Sequence, residues 1–203
     1  ICYDIKQRMW PSLAIAIPSL IVGLLLNITL SLFITFFRAT NIDRLGLFIC
    51  VMLMSISGLF YIIAGQYMIS KLFHLVPISG YDYGSDSIKF LILPVIISVI
   101  YGIGSGTRWY RTLFIEEVEK EYIKTARSKG LSEASIMMNH VFRNALIPIL
   151  TGVVVLLPLL FLGSLIVESF FGIPGLGSYT IDAIQRQDFA IVRSMVFLSL
   201  IHI

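Results

Sequence analysis

The sequence contains few charged residues. Only 13% of its 203 residues are Asp, Glu, Lys or Arg, while 57% are hydrophobic. Soluble domains carry about a quarter charged and about half apolar residues. The apolar residues also occur in runs too long for buried strands or ordinary core helices. We therefore predict an all-α, polytopic transmembrane helix bundle. The net charge of +3 is small, so nucleic acid is not expected as a partner.

Residues for catalysis and metal binding are also scarce. Two cysteines, Cys2 and Cys50, indicate neither a disulfide framework nor a metal site. The sequence has no HExxH, G-x-S-x-G or P-loop motif, and the series Gly102, Gly104 and Gly106 lacks the spacing of a phosphate loop. The histidines are scattered: His74, His140 and His202. We expect this chain to hydrolyse no ATP, to hold no cofactor or metal and not to be an enzyme.

Uncharged segments define candidate membrane spans. An α-helix rises about 1.5 Å per residue, so roughly 20 apolar residues cross a hydrocarbon core of about 30 Å. Pro18 and Asn27 indicate a mild kink and an interhelical hydrogen bond in the first span, and Pro148 and Pro158 are expected to interrupt the fourth. The candidate spans lie at about 11–37, 45–70, 90–111, 145–167 and, truncated, 190–203.

One long polar segment separates the third and fourth spans. It covers residues 121–148 and reads EYIKTARSKGLSEASIMMNHVFRNALIP. Val118, Tyr122 and Ala126 recur at helical spacing and predict a short amphipathic helix. Gly130 can end that helix in a left-handed conformation.

A second helix is predicted directly after this turn. Ser132 can cap its first turn, and Glu133 is favourable near its positive dipole end. Lys and Arg are more frequent in the loops on this side of the membrane than on the other, so the segment is expected to be cytoplasmic. One face of the second helix carries Leu131, Ala134, Met138 and either Val141 or Phe142.

These residues resemble a known family. The runs TARSKGLS at 125–132 and HVFRNALIP at 140–148 are similar to the cytoplasmic EAA loop of permease subunits of binding-protein-dependent ABC importers, in the dipeptide, oligopeptide and nickel branch. A second block, VESFFGIPGLG at 167–177, resembles the periplasmic segment before the last transmembrane helix of that branch. The resemblance extends more weakly from about Pro11 to the end of the chain.

The resemblance implies a MetI-like permease fold of the type I importers, with residues 1–203 as one transmembrane domain and a coupling loop at 117–144. Such a subunit forms the translocation path for peptides or related small solutes. Its implied partners are a second homologous permease, two cytoplasmic ATPase subunits, an extracytoplasmic solute-binding protein and the lipid of a bacterial inner membrane. The family also implies at least one span before Ile1 and the rest of the last span after Ile203, so we interpret the chain as a fragment.

The resemblance also assigns site residues. Contact with the ATPase is expected at Thr125, Ala126, Arg127, Lys129, Gly130, Leu131, Ala134, Asn144 and Pro148. Contact with the binding protein is expected at Glu168, Gly172, Pro174, Gly175, Gly177, Asp182 and Asp188.

Several alternatives remain at this stage. The polar segment is also compatible with an amphipathic helix lying among lipid headgroups, and the whole chain with an ATPase-independent secondary transporter or channel. Glu168 can be a structural cap, a member of an ion pair or a substrate contact. Asp82 and Asp86 can belong to a solvated loop or a cation site. The glycines at 102, 104 and 106 can permit either close backbone packing or bending.

Overall fold

The computed structural model describes residues 2–74, 76–82, 87–161 and 163–200. Its first half contains four helices, and α3 continues as a π-helical segment at Gln66–Leu72. The bounds are α1 Cys2–Phe36, α2 Asn41–Ser55, α3 Gly58–Gly65 and α4 Ser87–Val118.

Six further α-helices follow in the described part of the chain. Between α6 and α7 lies a π-helical segment at Met137–Phe142. The bounds are α5 Glu121–Ser128, α6 Glu133–Ile136, α7 Arg143–Leu160, α8 Leu165–Phe171, α9 Leu176–Gln185 and α10 Phe189–Leu200. The predicted all-α class is confirmed.

Three helical stretches of the described chain are long and apolar enough to cross a membrane: Tyr3–Phe36, Ser87–Val118 and Glu133–Leu160. Large apolar side chains such as Leu25, Phe48 and Val155 are exposed along the chain, as lipid-facing surfaces require. The shorter helix at Phe189–Leu198 covers the start of the predicted last span.

The segment predicted as one span at 45–70 is interrupted. Helix α2 ends at Ser55, Ile56 and Ser57 are extended, and α3 begins at Gly58. The carbonyl of Ser57 accepts hydrogen bonds from the N–H groups of Phe60 and Tyr61 at 3.0 and 3.3 Å. Ser57 and Gly58 thus mark a helix start.

The prolines have less effect than expected. Helix α1 runs unbroken through Pro11 and Pro18, and α7 runs unbroken through Pro148 and Pro158. Proline removes one backbone donor, which a long membrane helix tolerates when neighbouring groups satisfy the freed carbonyl. The prolines therefore leave the fourth span continuous with α6 and the π-helical segment, as one stretch over Glu133–Leu160.

The described residues pack into two compact units. The first contains the residues within Ile1–Ile21, Ser57–Val99 and Val155–Ile203. Gln66 Nε2 there donates to the carbonyls of Ile78 and Phe170 at 3.2 and 3.1 Å. The buried apolar core of this unit consists of Ile15, Ile62, Leu93, Ile97, Phe171 and Ile173.

The second unit contains Val22–Ile56 and Ile100–Val154. Two polar contacts hold α4 within it. Thr107 Oγ1 donates to Asn27 Oδ1 at 3.0 Å, and the Arg111 guanidinium makes two 2.9 Å hydrogen bonds to the Asp43 carboxylate. The Asn27 contact is the interhelical hydrogen bond that the sequence indicated.

The glycines of α4 differ in their surroundings. A Cβ atom on Gly104 would lie 2.7 Å from the Cys50 carbonyl oxygen, and one on Gly106 would lie 2.4 Å from Asn27 Nδ2. A Cβ atom on Gly102 would meet nothing within 4 Å. Close packing therefore explains Gly104 and Gly106 but not Gly102.

We predict different effects of alanine at two of these sites. Gly102→Ala should raise the melting temperature of the purified protein, because alanine favours a helix by about 1 kcal/mol over glycine. Gly104→Ala makes the same gain but forces a methyl group onto the Cys50 carbonyl, which costs about 1–3 kcal/mol, so its melting temperature should be lower than that of Gly102→Ala. Equal shifts in the two variants would contradict the packing interpretation.

Candidate functional site

The predicted helix-turn-helix is present at residues 121–136. The backbone N–H of Gly130 donates to the Arg127 carbonyl at 2.9 Å and closes α5. Gly130 has a φ of +77°, while a Cβ there would meet nothing within 4 Å. Glycine is thus favoured by backbone conformation and not by space. Ser132 caps α6 by accepting a 3.3 Å hydrogen bond from the N–H of Ser135.

One face of this segment is buried in the second unit. Ile123 and Ala126 of α5 are 0% and 6% exposed, and Ile136, Met137 and Val141 are also buried. They join a core cluster with Ile28, Tyr110, Phe114, Val118, Ala145 and Ile149. The helix-turn-helix is therefore attached to the spans of this unit by an apolar core.

This packing corrects the apolar stripe predicted for the first helix. Helix α4 ends at Val118 and Lys120 is extended, so α5 starts anew at Glu121. The break changes the helical phase and turns Ile123 inward, while the Tyr122 side chain remains partly exposed. Of the predicted stripe, Val118 and Ala126 are buried, and Ile123 takes the place of Tyr122.

A second apolar surface faces outward. Leu131, Ala134 and Met138 are exposed, and Leu131 and Met138 are the large side chains of this group. We call these three residues the docking face. Lys124 and Lys129 are exposed nearby in the chain. An exposed apolar surface of this type allows a helical segment to pack into an apolar groove of a partner protein.

An ion pair closes the turn between the two helices. The Arg127 guanidinium donates to both carboxylate oxygens of Glu133, at 2.6 and 3.2 Å. A bidentate arrangement of this type fixes geometry as well as adding attraction. It therefore holds α5 and α6 at a defined angle across Gly130.

A polar network joins α5 to α4 and α7. Tyr122 Oη donates to Glu117 Oε2 at 2.5 Å and accepts a 3.0 Å hydrogen bond from Asn144 Nδ2. Glu117 Oε1 accepts from Lys120 Nζ at 2.5 Å, and Asn144 Nδ2 also donates to the His140 carbonyl at 2.8 Å. Burial and the hydrogen bond to Glu117 raise the pKa of Tyr122 to about 12, so its hydroxyl remains protonated and continues to donate.

The structure places the predicted coupling residues in different environments. Ala126 is buried and is available only to its own core. Arg127 is in the ion pair and Asn144 in the network, and Pro148 is half-buried in α7. The exposed members are Thr125, Lys129, Gly130, Leu131, Ala134 and, although it is in the network, Asn144.

The second block of the sequence forms a compact structure around Glu168 in the first unit. This side chain is 1% exposed. Its Oε2 accepts hydrogen bonds from the N–H groups of Gly177 and Ser178 at 2.7 and 3.1 Å, at the start of α9, and its Oε1 accepts from the N–H of Ser164 at 3.1 Å. A carboxylate is favourable at a helix N-terminus. Burial raises the pKa of the carboxyl, and these hydrogen bonds oppose the shift.

Glycines permit this close approach. A Cβ atom on Gly163 or Gly175 would lie 2.2 Å from an oxygen of Glu168. Ser12 Oγ accepts a 2.8 Å hydrogen bond from the N–H of Leu176. The geometry therefore favours the structural cap over the substrate contact for Glu168.

The predicted outer-face residues differ in their exposure to solvent. Glu168, Gly175 and Gly177 are buried, Pro174 is intermediate, and Gly172, Asp182 and Asp188 are exposed. Gly172 has a φ of +64° and ends α8. Asp188 Oδ1 accepts from the N–H groups of Ala190 and Ile191 at 3.2 and 3.3 Å and thus caps α10. The exposed residues of this block are those available to a partner.

No group of three or more His, Cys, Asp or Glu side chains suited to a metal ion occurs in the part of the chain that the structure describes. Asp82 is exposed, and Asp86, its predicted companion, lies outside the described residues.

Two contacts important to this geometry were not predicted from the sequence. Glu117 and Tyr122 would lie on different faces of a continuous helix, and the break at Lys120 is what brings them together. Ser12 lies 164 residues from Leu176 in the chain, and no local pattern relates the two.

Comparison with known proteins adds a family match. The profile of the family described as "Binding-protein-dependent transport system inner membrane component" matches residues 7–203. A putative peptide transport system permease protein of Brucella abortus is 29% identical over 98% of this chain and 65% of its own length. A di/tripeptide transport system permease protein of Pseudomonas aeruginosa is 33% identical over 74% of this chain and 47% of its own.

A third relative is named for a different substrate. A glutathione transport system permease protein of Salmonella typhimurium is 28% identical over 96% of this chain and 62% of its own length. The chain thus spans less than two thirds of the length of each of these relatives.

We predict that Glu168→Ala destabilises the protein by about 3 kcal/mol, since it leaves the buried N–H of Gly177 and the partly buried N–H groups of Ser164 and Ser178 without their acceptor. Thermal unfolding in detergent measures the effect. Glu116→Ala is the matched control, because Glu116 is exposed and its loss should change stability by about 0.5 kcal/mol or less. Equal unfolding temperatures for the two variants would contradict the cap assignment.

Proposed function

The chain belongs to the family of binding-protein-dependent transport system inner membrane components, whose profile covers residues 7–203, and from this premise we propose that it is the membrane-spanning subunit of an ATP-driven importer of peptides or related small solutes. The protein is a multi-pass inner membrane protein. The proposed role is to form part of the translocation path and to receive movement from a separate cytoplasmic ATPase. The relatives are named as peptide, di/tripeptide and glutathione transport permeases, which supports this substrate class.

The docking face is the observation that carries the coupling role. Leu131, Ala134 and Met138 are apolar and exposed on a segment whose opposite side is buried. A helix lying among headgroups would also expose an apolar face. Here, however, the face stands on a segment whose opposite side packs into an apolar core and whose turn is closed by the Arg127–Glu133 ion pair, which suits a defined groove in a protein partner better than a fluid surface.

The mechanism that we propose is mechanical. Closure of two ATPase subunits on ATP displaces the docking face. One continuous helical stretch over Glu133–Leu160, made of α6, the π-helical segment and α7, then carries the displacement into a span. A stiff element of this length moves as a unit, as in other shear and hinge transitions. The proposed partners are two ATPase subunits, a second permease and a solute-binding protein that meets the exposed residues Gly172, Asp182 and Asp188.

The test uses the full-length permease, tagged and purified with its co-expressed ATPase. Ala134→Asp should reduce the ATPase retained by about tenfold or more, because a carboxylate buried in an apolar groove without a partner costs several kcal/mol. Ala190→Asp is the matched control. Ala190 is also exposed, but it lies outside the docking face at the start of α10.

Undiminished retention in Ala134→Asp would remove the docking face from the contact. Absence of ATPase from the wild-type preparation would overturn the coupling role and favour the ATPase-independent transporter or channel.

A further inference from the structure

Tyr122 occupies the centre of the polar network and links three helices. Glu117 is in the last turn of α4, Tyr122 in the first turn of α5 and Asn144 in the first turn of α7. Glu117 is 7% exposed and Tyr122 is 37% exposed, so the hydrogen bond that Glu117 accepts from the Tyr122 hydroxyl is partly shielded from water. Shielding strengthens such a bond and makes its loss costly.

The hydrogen-bonding capacity of the neighbours is already committed. Glu117 Oε1 holds Lys120 and its Oε2 holds Tyr122, at 2.5 Å each. The two N–H groups of Asn144 serve Tyr122 and the His140 carbonyl, at 3.0 and 2.8 Å. The Tyr122 hydroxyl is therefore the atom through which the α4 carboxylate and the α7 amide are connected.

The other contacts of α5 with these helices have a different character. Ile123 and Ala126 contribute to an apolar cluster with Phe114, Val118 and Ala145. Apolar burial is strong but non-directional, so it permits small rotations and slides of α5 at little cost. Hydrogen bonds require both distance and angle and therefore fix the register that the apolar core leaves open.

We propose that Tyr122 is a positioning residue, whose hydroxyl fixes α5 against α4 and α7 so that displacement of the docking face moves the membrane spans and not the loop alone. This inference rests on the proposed function. A Tyr122 variant should lose transport because displacement of the docking face is transmitted poorly to the spans. Its binding of the ATPase should remain intact, because Tyr122 is not part of the docking face.

The experiment uses the complete transporter in proteoliposomes. The substrate probe is a pool of radiolabelled di- and tripeptides from partial hydrolysis of uniformly labelled protein, and the measured quantity is labelled peptide imported per ATP hydrolysed. Tyr122→Phe retains the ring and removes only the hydroxyl. We expect import per ATP to fall about threefold or more, within the range that loss of a hydrogen bond to a charged group allows, with ATPase retention and the rate of ATP hydrolysis within about twofold of wild type.

Tyr67→Phe is the matched control. Tyr67 is 57% exposed and its recorded contact is through the ring, which lies 5.4 Å from Lys71 Nζ. Its variant should import as much peptide per ATP as wild type. A purely structural effect of Tyr122→Phe would lower the amount of assembled transporter but leave import per ATP unchanged, and that result would overturn the inference.

A double-mutant cycle gives a second readout. If Asn144 acts through the Tyr122 hydroxyl, the effects of Asn144→Ala and Tyr122→Phe on import per ATP should be clearly less than additive. Additive effects would overturn the connection. A wild-type transporter that imports none of the peptide pool on ATP would overturn the proposed function itself. An active wild type with the same import per ATP in Tyr122→Phe would overturn only the role of Tyr122.

Discussion

Burial of Ile123, Ala126 and Val141 in the apolar core of the second unit fixes which side of the coupling segment remains at the surface. Ile123 and Val141 each contribute about 1.5–3 kcal/mol when removed from water, and the smaller Ala126 contributes less, while exposed ion pairs such as those of the same segment contribute about 0–1 kcal/mol each. Once these residues are inside, the helical period leaves Ala134 and Met138 outside, and Leu131 is exposed in the turn that precedes α6. The docking face is thus a consequence of the core, and changes in that core should alter it indirectly.

Different interactions hold the short helices of the two sequence blocks in place. In the coupling segment, apolar packing supplies the attachment, while Arg127–Glu133 and the Tyr122 network supply direction. Around Glu168, backbone N–H groups converge on one buried carboxylate, and small residues permit that approach.

Local patterns predicted the parts of this fold that depend on local chemistry. The left-handed glycine at Gly130 and the cap at Ser132 are present as expected, because a turn and a helix start are decided by a few adjacent residues. The interruption of the 45–70 segment was missed, since Ser57 and Gly58 are compatible with close packing as well as with a helix start. The contact of Ser12 with Leu176 and the contrast between Gly102 and Gly104 depend on which helix lies opposite, and one sequence does not contain that information.

The measurement that tests the coupling account most directly is a crosslink from the docking face. A single cysteine at position 134, Ala134→Cys, is placed in the full-length transporter after the native cysteines have been replaced, and Ala126→Cys serves as the buried control. We predict that position 134 crosslinks to the ATPase subunit, that ATP alters the yield, and that position 126 gives no crosslink. Absence of a crosslink at position 134, with the ATPase present and the cysteine reactive to a soluble maleimide, would contradict the account.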